Sequence, residues 1–341
     1  MYKQILTALL IVSRLHAFAQ TAGIGERTLQ FKDVKRNRPL VTEVWYPTND
    51  TLKAGDIQKS PFLRQNTVRD GKITGTGLPL ILLSHGSGGT RLDLEWLAQY
   101  LVLHGYIVAS VDHWGNTFDN KIPIEFIEPW ERPQDISFVI TKLLADSVFK
   151  KVIDARKIGA AGFSFGGATM IELAGGVANY PLLLTYYRTT GRKEVEVPEL
   201  PTLVSLLSDS TFVAQTRHVP VLKDRRIKAF IAISPSIGTG FTSKAQFKDV
   251  QGAVLIIGSH ADVMDPVKLN SRNYHQLIPG SEYYEFPGKT GHYVMLGEAN
   301  DGLKEIVPAV FTDDLSVDRH HVHLTVDSLA VDFFRRSLSN R

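Results

Sequence analysis

A serine bracketed by glycines at two-residue spacing, Gly162-x-Ser164-x-Gly166, is the strongest candidate nucleophile in the chain. A serine hydroxyl is a weak nucleophile near neutral pH. It needs a base to take its proton and a third group to orient that base. It also needs hydrogen-bond donors aimed at the oxygen on which charge develops. The chain has no cysteine, which excludes a thiol nucleophile, a disulfide and a cysteine-bound metal.

The orienting acid and the base are expected after the serine, in that order. The stretch SHADVMDP offers Asp262 and Asp265. Asp265 directly precedes Pro266 and reads as a helix N-cap with proline at the first helical position. Asp262 has no such structural use, so it is expected to be the acid, with Asp265 in reserve. The expected base is His292, flanked by Gly288 and Gly291 in EFPGKTGHYVML. Two backbone N–H groups are expected to hold the oxyanion: that of Phe165, after the nucleophile, and that of Ser87 in the glycine-rich stretch HGSGGT.

Other reactive side chains read less sharply. His113 and Trp114 stand at the end of an apolar run and could line a substrate pocket or pack inside. Arg132 and Asp135, in RPQD, read as a buried pair fixing the helix that follows. His85 reads as a packing residue. His320, His321 and His323 open an amphipathic segment with no carboxylates at ligand spacing, so no metal and no cofactor is expected.

Positioning these residues takes alternating strands and helices. Residues 27–34 and 39–48 alternate apolar and polar positions, as two paired strands do. Residues 49–76 are polar and read as a surface loop. Residues 78–86 form a continuous apolar run ended by glycine, the mark of a strand buried on both faces. The same mark recurs at 106–115, 157–164, 226–236 and 252–262, with a last strand at 282–288. Helical stripes are expected at 93–105, 135–146, 166–176, 266–278 and 321–338. Such alternation predicts a mostly parallel sheet with helices on both faces, the α/β-hydrolase fold, in a single domain over 20–341. Ligands then bind at the carboxyl ends of the strands, where Ser164 falls. Residues 175–224 form a long apolar-rich insertion, either a cap over that edge or extra packing helices.

The motifs SHGSGGT, DHWGNT, RPQDISFVITKLL, GFSFGGAT, GSHADVMDP and GKTGHYVM, in this order, resemble the predicted dienelactone-hydrolase-type serine hydrolases. These are related to the platelet-activating factor acetylhydrolases. The resemblance runs from about Arg38 to the C-terminus. It implies a Ser164–Asp262–His292 triad with oxyanion donors from Phe165 and Ser87. Two departures limit it: dienelactone hydrolases use a cysteine nucleophile, and the insertion would set the substrate pocket. The expected reaction is hydrolysis of carboxylic esters with short to medium acyl groups through an acyl-enzyme. An amidase or peptidase with the same triad, or a binding protein on the same fold, are the alternatives.

The composition is ordinary for a globular chain of 341 residues, 43% hydrophobic and 21% charged, with a net charge of +3. No basic block points to nucleic acid. The N-terminus reads as an export signal over 1–19: Lys3, an apolar run from Ile5 to Val12, and Ala17-Phe18-Ala19 for cleavage. No segment is expected to span a membrane, and a periplasmic or secreted enzyme acting on a small-molecule ester is the resulting expectation.

Overall fold

The computed structural model describes residues 23–57, 60–196 and 200–339; the export-signal reading at 1–19 lies outside them. Alternation along strand β4 (Leu78–Ser84) sets the architecture. Leu80 and Leu82 enter one hydrophobic core, and Ile81 and Leu83 enter another on the opposite face. A strand buried on both sides has no polar face to show, which is why it reads as an unbroken apolar run.

Nine strands form one sheet in the order β3-β1-β2-β5-β4-β6-β7-β8-β9. The edge hairpin pairs β1 (Gly23–Asp33) antiparallel with β2 (Arg38–Thr48), from Gly23↔Thr48 to Asp33↔Arg38. Asn37 turns the corner at φ 52°, a left-handed conformation that asparagine tolerates better than most residues. β3 (Val68–Arg69) runs parallel to β1 inside the stretch expected to be a loop. β5 (Ile107–Val111) pairs antiparallel with β2 and parallel with β4. β6 (Ile153–Phe163), β7 (Ile227–Ile233), β8 (Ala253–Ser259) and β9 (Glu282–Phe286) continue the parallel half.

Helices α1 (Glu95–Leu103) and, from the chain's end, Arg319–Leu338 cover one face through Leu97, Leu101, Val326, Phe333 and Phe334. α2 (Glu131–Ala145) and α3 (Phe165–Ala174) cover the other through Ile136, Val139, Met170 and Ile171. α2 begins four residues before the expected start, so Arg132 and Asp135 lie within its first turns. The insertion folds as α4 (Tyr180–Arg188), α5 (Leu203–Leu206) and α6 (Ser210–Gln215). Asn179 and Asp209 cap α4 and α6 by accepting backbone N–H bonds. Its apolar side chains join the α2–α3 core: Trp130 meets Tyr180 edge-on at 5.2 Å and stacks on Phe212 at 5.9 Å. α7 (Ser271–Leu277) starts five residues later than expected, because residues 267–270 form turns. α8 (Asp301–Ile306) and α9 (Pro308–Phe311) then lead to the C-terminal helix, α10.

The tightest backbone contact joins α3 to β4. A Cβ on Gly166 would lie 2.0 Å from the Ser84 carbonyl oxygen and 2.8 Å from that of His85. Both are main-chain atoms of the central sheet edge and cannot rotate away. Gly166→Ala is therefore expected to cost about 3 kcal/mol or more in denaturant unfolding. Gly55→Ala, whose added Cβ meets nothing within 4 Å, serves as the control and should stay within about 0.5 kcal/mol of the parent.

Candidate active site

Ser164 joins β6 to α3 with φ 55° and ψ −116°. A side chain held there costs about 1–3 kcal/mol, so the surroundings must impose it. They do so from three sides. The Ser164 N–H donates to Ile233 O at 2.9 Å, and its carbonyl accepts from Ala168 N at 3.1 Å and Ser236 N at 3.2 Å. A Cβ on Gly162 would fall 2.2 Å from Gly166 O, so only glycine fits on the strand side of the turn. The sharp turn lifts the hydroxyl off the carboxyl end of the sheet.

The two loops on the β8–β9 side bring an acid and a histidine together. Asp262 follows β8 and is buried. Its Oδ2 lies 2.7 Å from His292 Nδ1, and its Oδ1 accepts the N–H groups of Met264 at 3.0 Å and Asp265 at 2.7 Å. Both oxygens are thus engaged, one by the ring and one by the loop that holds it. The Ala261 N–H donates to Thr290 O at 3.0 Å and ties the acid loop to the histidine loop. The bond to Asp262 keeps the proton on Nδ1, which leaves Nε2 of the neutral ring as an acceptor. Burial alone would lower the His292 pKa. The Asp262 hydrogen bond and the charges of Asp265 and Asp262 outweigh it and hold the ring above its ordinary 6.5.

Asp265 is not the helix cap expected from its proline neighbour. Its side chain turns inward: Ser164 Oγ donates to Asp265 Oδ2 at 3.3 Å, and the same oxygen lies 3.7 Å from His292 Nε2. The hydroxyl and the ring nitrogen therefore converge on one carboxylate oxygen. Burial pushes Asp265 up to about 7, against the pull of the His292 charge; Asp262 and Glu194 push the same way. Glu194 belongs to the insertion, so that segment comes within electrostatic reach of this carboxyl.

On the other side of the serine lies the glycine-rich loop after β4. A Cβ on Gly86 would touch the Phe163 ring at 3.2 Å and Ser164 Cβ at 3.4 Å. The N–H groups of Ser87 and Phe165 have no partner among the described residues. The loop's orientation is fixed from behind by Arg132, which is fully buried. Its guanidinium donates to His85 O at 2.6 Å, Gly86 O at 3.0 Å and Asn116 Oδ1 at 3.3 Å, and lies 4.6 Å from the Phe165 ring. The Gly86 carbonyl also takes the His85 Nδ1–H at 2.7 Å and the Gly89 N–H at 3.3 Å. That carbonyl and the Ser87 N–H belong to one planar trans peptide. Three donors on the oxygen therefore aim the N–H the opposite way. Asn116 Oδ1 fixes the next amide, accepting the Gly88 N–H at 2.7 Å.

Arg132 and Asp135 do not pair with each other as expected; each anchors a different element. Asp135 accepts from Arg38 Nε at 2.9 Å and Nη2 at 3.0 Å and from His113 Nδ1 at 3.0 Å. Burial would raise Asp135, but these partners hold it down at about 2. His113 spends its other nitrogen on Ser84 Oγ at 2.8 Å and has no exposed surface; burial pushes it down to about 4. It thus packs beneath the site with no free ring nitrogen. Trp114 is half-buried and packs against the α2–α3 core. His323 is also turned inward, its Nε2 on Val294 O at 2.8 Å, while His320 meets Glu298 at the surface.

No family model matches the chain. Over 203 residues it is 22% identical to cutinase est1 of Thermobifida alba, a stretch covering 59% of this chain and 48% of that protein. Over 96 residues it is 28% identical to cutinase est2 of the same organism, covering 28% of this chain and 29% of the other. The chain spans less than half the length of these curated relatives. A solved ferulic acid esterase from Streptomyces cinnamoneus superposes with a TM-score of 0.62 at 20% identity, over 95% of this chain and 92% of the other. The architecture is that of the α/β-hydrolases: a mostly parallel sheet with helices on both faces and a strand-turn-helix serine at its carboxyl edge.

Proposed function

We propose that this protein is a serine hydrolase of carboxylic esters, with Ser164 as nucleophile, His292 as base and Asp262 as orienting acid. The observation that carries the reading is the strained Ser164 turn. A positive φ at a non-glycine residue is expensive, and it is imposed beside a His–Asp pair whose Nε2 faces the same carboxylate oxygen as the hydroxyl. The resemblance to cutinases and to an esterase supports esters as the substrate class.

In the first step His292 Nε2 takes the Ser164 proton and Oγ attacks the ester carbonyl. The oxyanion is received by the N–H groups of Phe165 and Ser87. His292 returns the proton to the leaving alcohol, and water repeats the sequence on the acyl-enzyme. Asp262 holds the ring tautomer and stabilises the imidazolium. For attack, the hydroxyl must exchange its Asp265 partner for Nε2. No cofactor enters this scheme.

The reading extends to short- and medium-chain esters within the dienelactone-hydrolase-type group. It takes residues 175–224 as a wall of the substrate pocket, supported by the reach of Glu194 to Asp265. Residues 1–19 are taken as a removable export signal. No helix among the described residues is long and apolar enough to cross a membrane.

Ser164→Ala should abolish labelling by a fluorophosphonate probe and ester turnover alike; labelling that survives in the variant rules out Ser164 as the nucleophile. Asp262→Asn should lower kcat by on the order of 10³- to 10⁴-fold, through loss of the right tautomer. Arg132→Met should lower kcat by tenfold or more, with a smaller change in KM, since a misaimed Ser87 N–H weakens an interaction worth roughly 100- to 1000-fold. Amide hydrogen exchange at Ser87 and Gly88 should rise in parallel. On a neutral ester, kcat/KM should fall as pH drops through the His292 pKa, because only the neutral ring accepts a proton. That midpoint should lie above 6.5. Asp265→Asn removes one of the charges that raise His292, so the acid limb of the profile should move to lower pH.

A further inference from the structure

Asp265 is not a member of the triad, yet it touches both reacting side chains. Its oxygen is 3.3 Å from Ser164 Oγ and 3.7 Å from His292 Nε2. In acyl transfer the atom that must lie close to both is the leaving alcohol's oxygen, which departs from the carbon attached to Oγ and takes its proton from Nε2. Asp265 Oδ2 therefore lies beside the position that the leaving alcohol's oxygen would take. The side chain is 13% exposed, and among the described residues no lysine or arginine pairs with it; its one ion-pair contact there is His292. A buried carboxylate without a cationic partner is costly, and the cost falls when a ligand supplies the cation. The carboxyl of Glu194 adds negative charge to the same surroundings.

We propose that Asp265 is a specificity-determining residue that selects esters whose alcohol carries a positive charge close to the ester oxygen, such as an amino alcohol or a quaternary ammonium alcohol. The inference rests on the serine-hydrolase reading and deepens it. The carboxylate pairs with the cation of the alcohol when the substrate seats, which releases the Ser164 hydroxyl to His292. One contact then both recognises the substrate and frees the nucleophile. An anionic alcohol would meet Asp265 as a like charge and be rejected.

The test compares kcat/KM for two butyrate esters of matched shape, that of choline and that of 3,3-dimethylbutan-1-ol, which differ by one fixed positive charge. The pH is held near about 8.5, above the ordinary carboxyl range. The wild-type protein should prefer the choline ester by about tenfold or more, the scale expected of an ion pair in a partly buried site. In Asp265→Asn the ratio should fall to about one, whatever happens to the absolute rates. A wild-type ratio near one, or a ratio unchanged by Asp265→Asn, overturns the proposal. The wild-type ratio needs no variant, so a poorly folding substitution does not obscure the answer. If the neutral ester is turned over and Ser164 is labelled by a fluorophosphonate while the ratio stays near one, only the role of Asp265 falls. If neither ester is cleaved and no labelling occurs, the hydrolase reading falls with it.

Discussion

The contact between the Gly166 backbone and the Ser84 carbonyl governs the rest of the structure. α3 can lie this close to the sheet only without a side chain at Gly166, and β6 can enter the turn only without one at Gly162. With both positions closed down to hydrogen, the chain between them has no room to relax. Ser164 is left at φ 55° and its hydroxyl stands clear of the sheet. The strain is held by packing, since the two cores anchor β6 from above and below.

A second rigid body supports the loop facing that serine. Asp135 gathers Arg38 from β2 and His113 from the end of β5, and His113 reaches Ser84 on β4. Three strands and α2 are thereby locked through one carboxylate. Such buried ion networks are weak evidence for stability, because desolvation offsets much of the attraction. Their value here is geometric. α2 is set in register by Asp135, and one turn earlier Arg132 points at the His85 and Gly86 carbonyls. The direction of the Ser87 N–H thus follows from charges well below the surface. A loop rich in glycine would otherwise sample many orientations.

How much of this was legible in the chain follows from the range of each signal. Strands buried on both faces announce themselves locally, so β4, β7 and β8 fall where the apolar runs predict, while β6 begins at Ile153, ahead of the run expected from 157. The glycines around Ser164 also act locally, because each must fit within its own turn. Helix starts were harder. α2 begins at Glu131 with no side-chain cap at Trp130, so the N-cap signal is missing and only the acidic Glu131 and Pro133 of its first turn mark it. Asp265-Pro266 carries a cap signature and no helix; the chain turns once more and starts α7 only after Asn270. The role of RPQD was misread for a related reason. A pair fixing the helix that follows was expected, but Arg132 and Asp135 each found partners from distant segments: loop carbonyls for one, Arg38 and His113 for the other. Sequence spacing does not report such contacts.

The two carboxyls of the acid loop show how backbone geometry divides chemically identical groups. Asp262 receives two main-chain N–H bonds on one oxygen and the His292 ring on the other. One of its oxygens is thus held by the loop and the other by the ring it orients. Asp265, three residues on, receives one hydroxyl and faces an imidazole 3.7 Å away. With so few donors, burial dominates and lifts it to about 7. One acid is thus fixed in place by the loop and the ring. The other can change its charge near neutral pH and its partner when something enters the site. The loop that orients the base therefore also carries a group sensitive to what the base is about to act on, and the two functions are separated by less than one turn of chain.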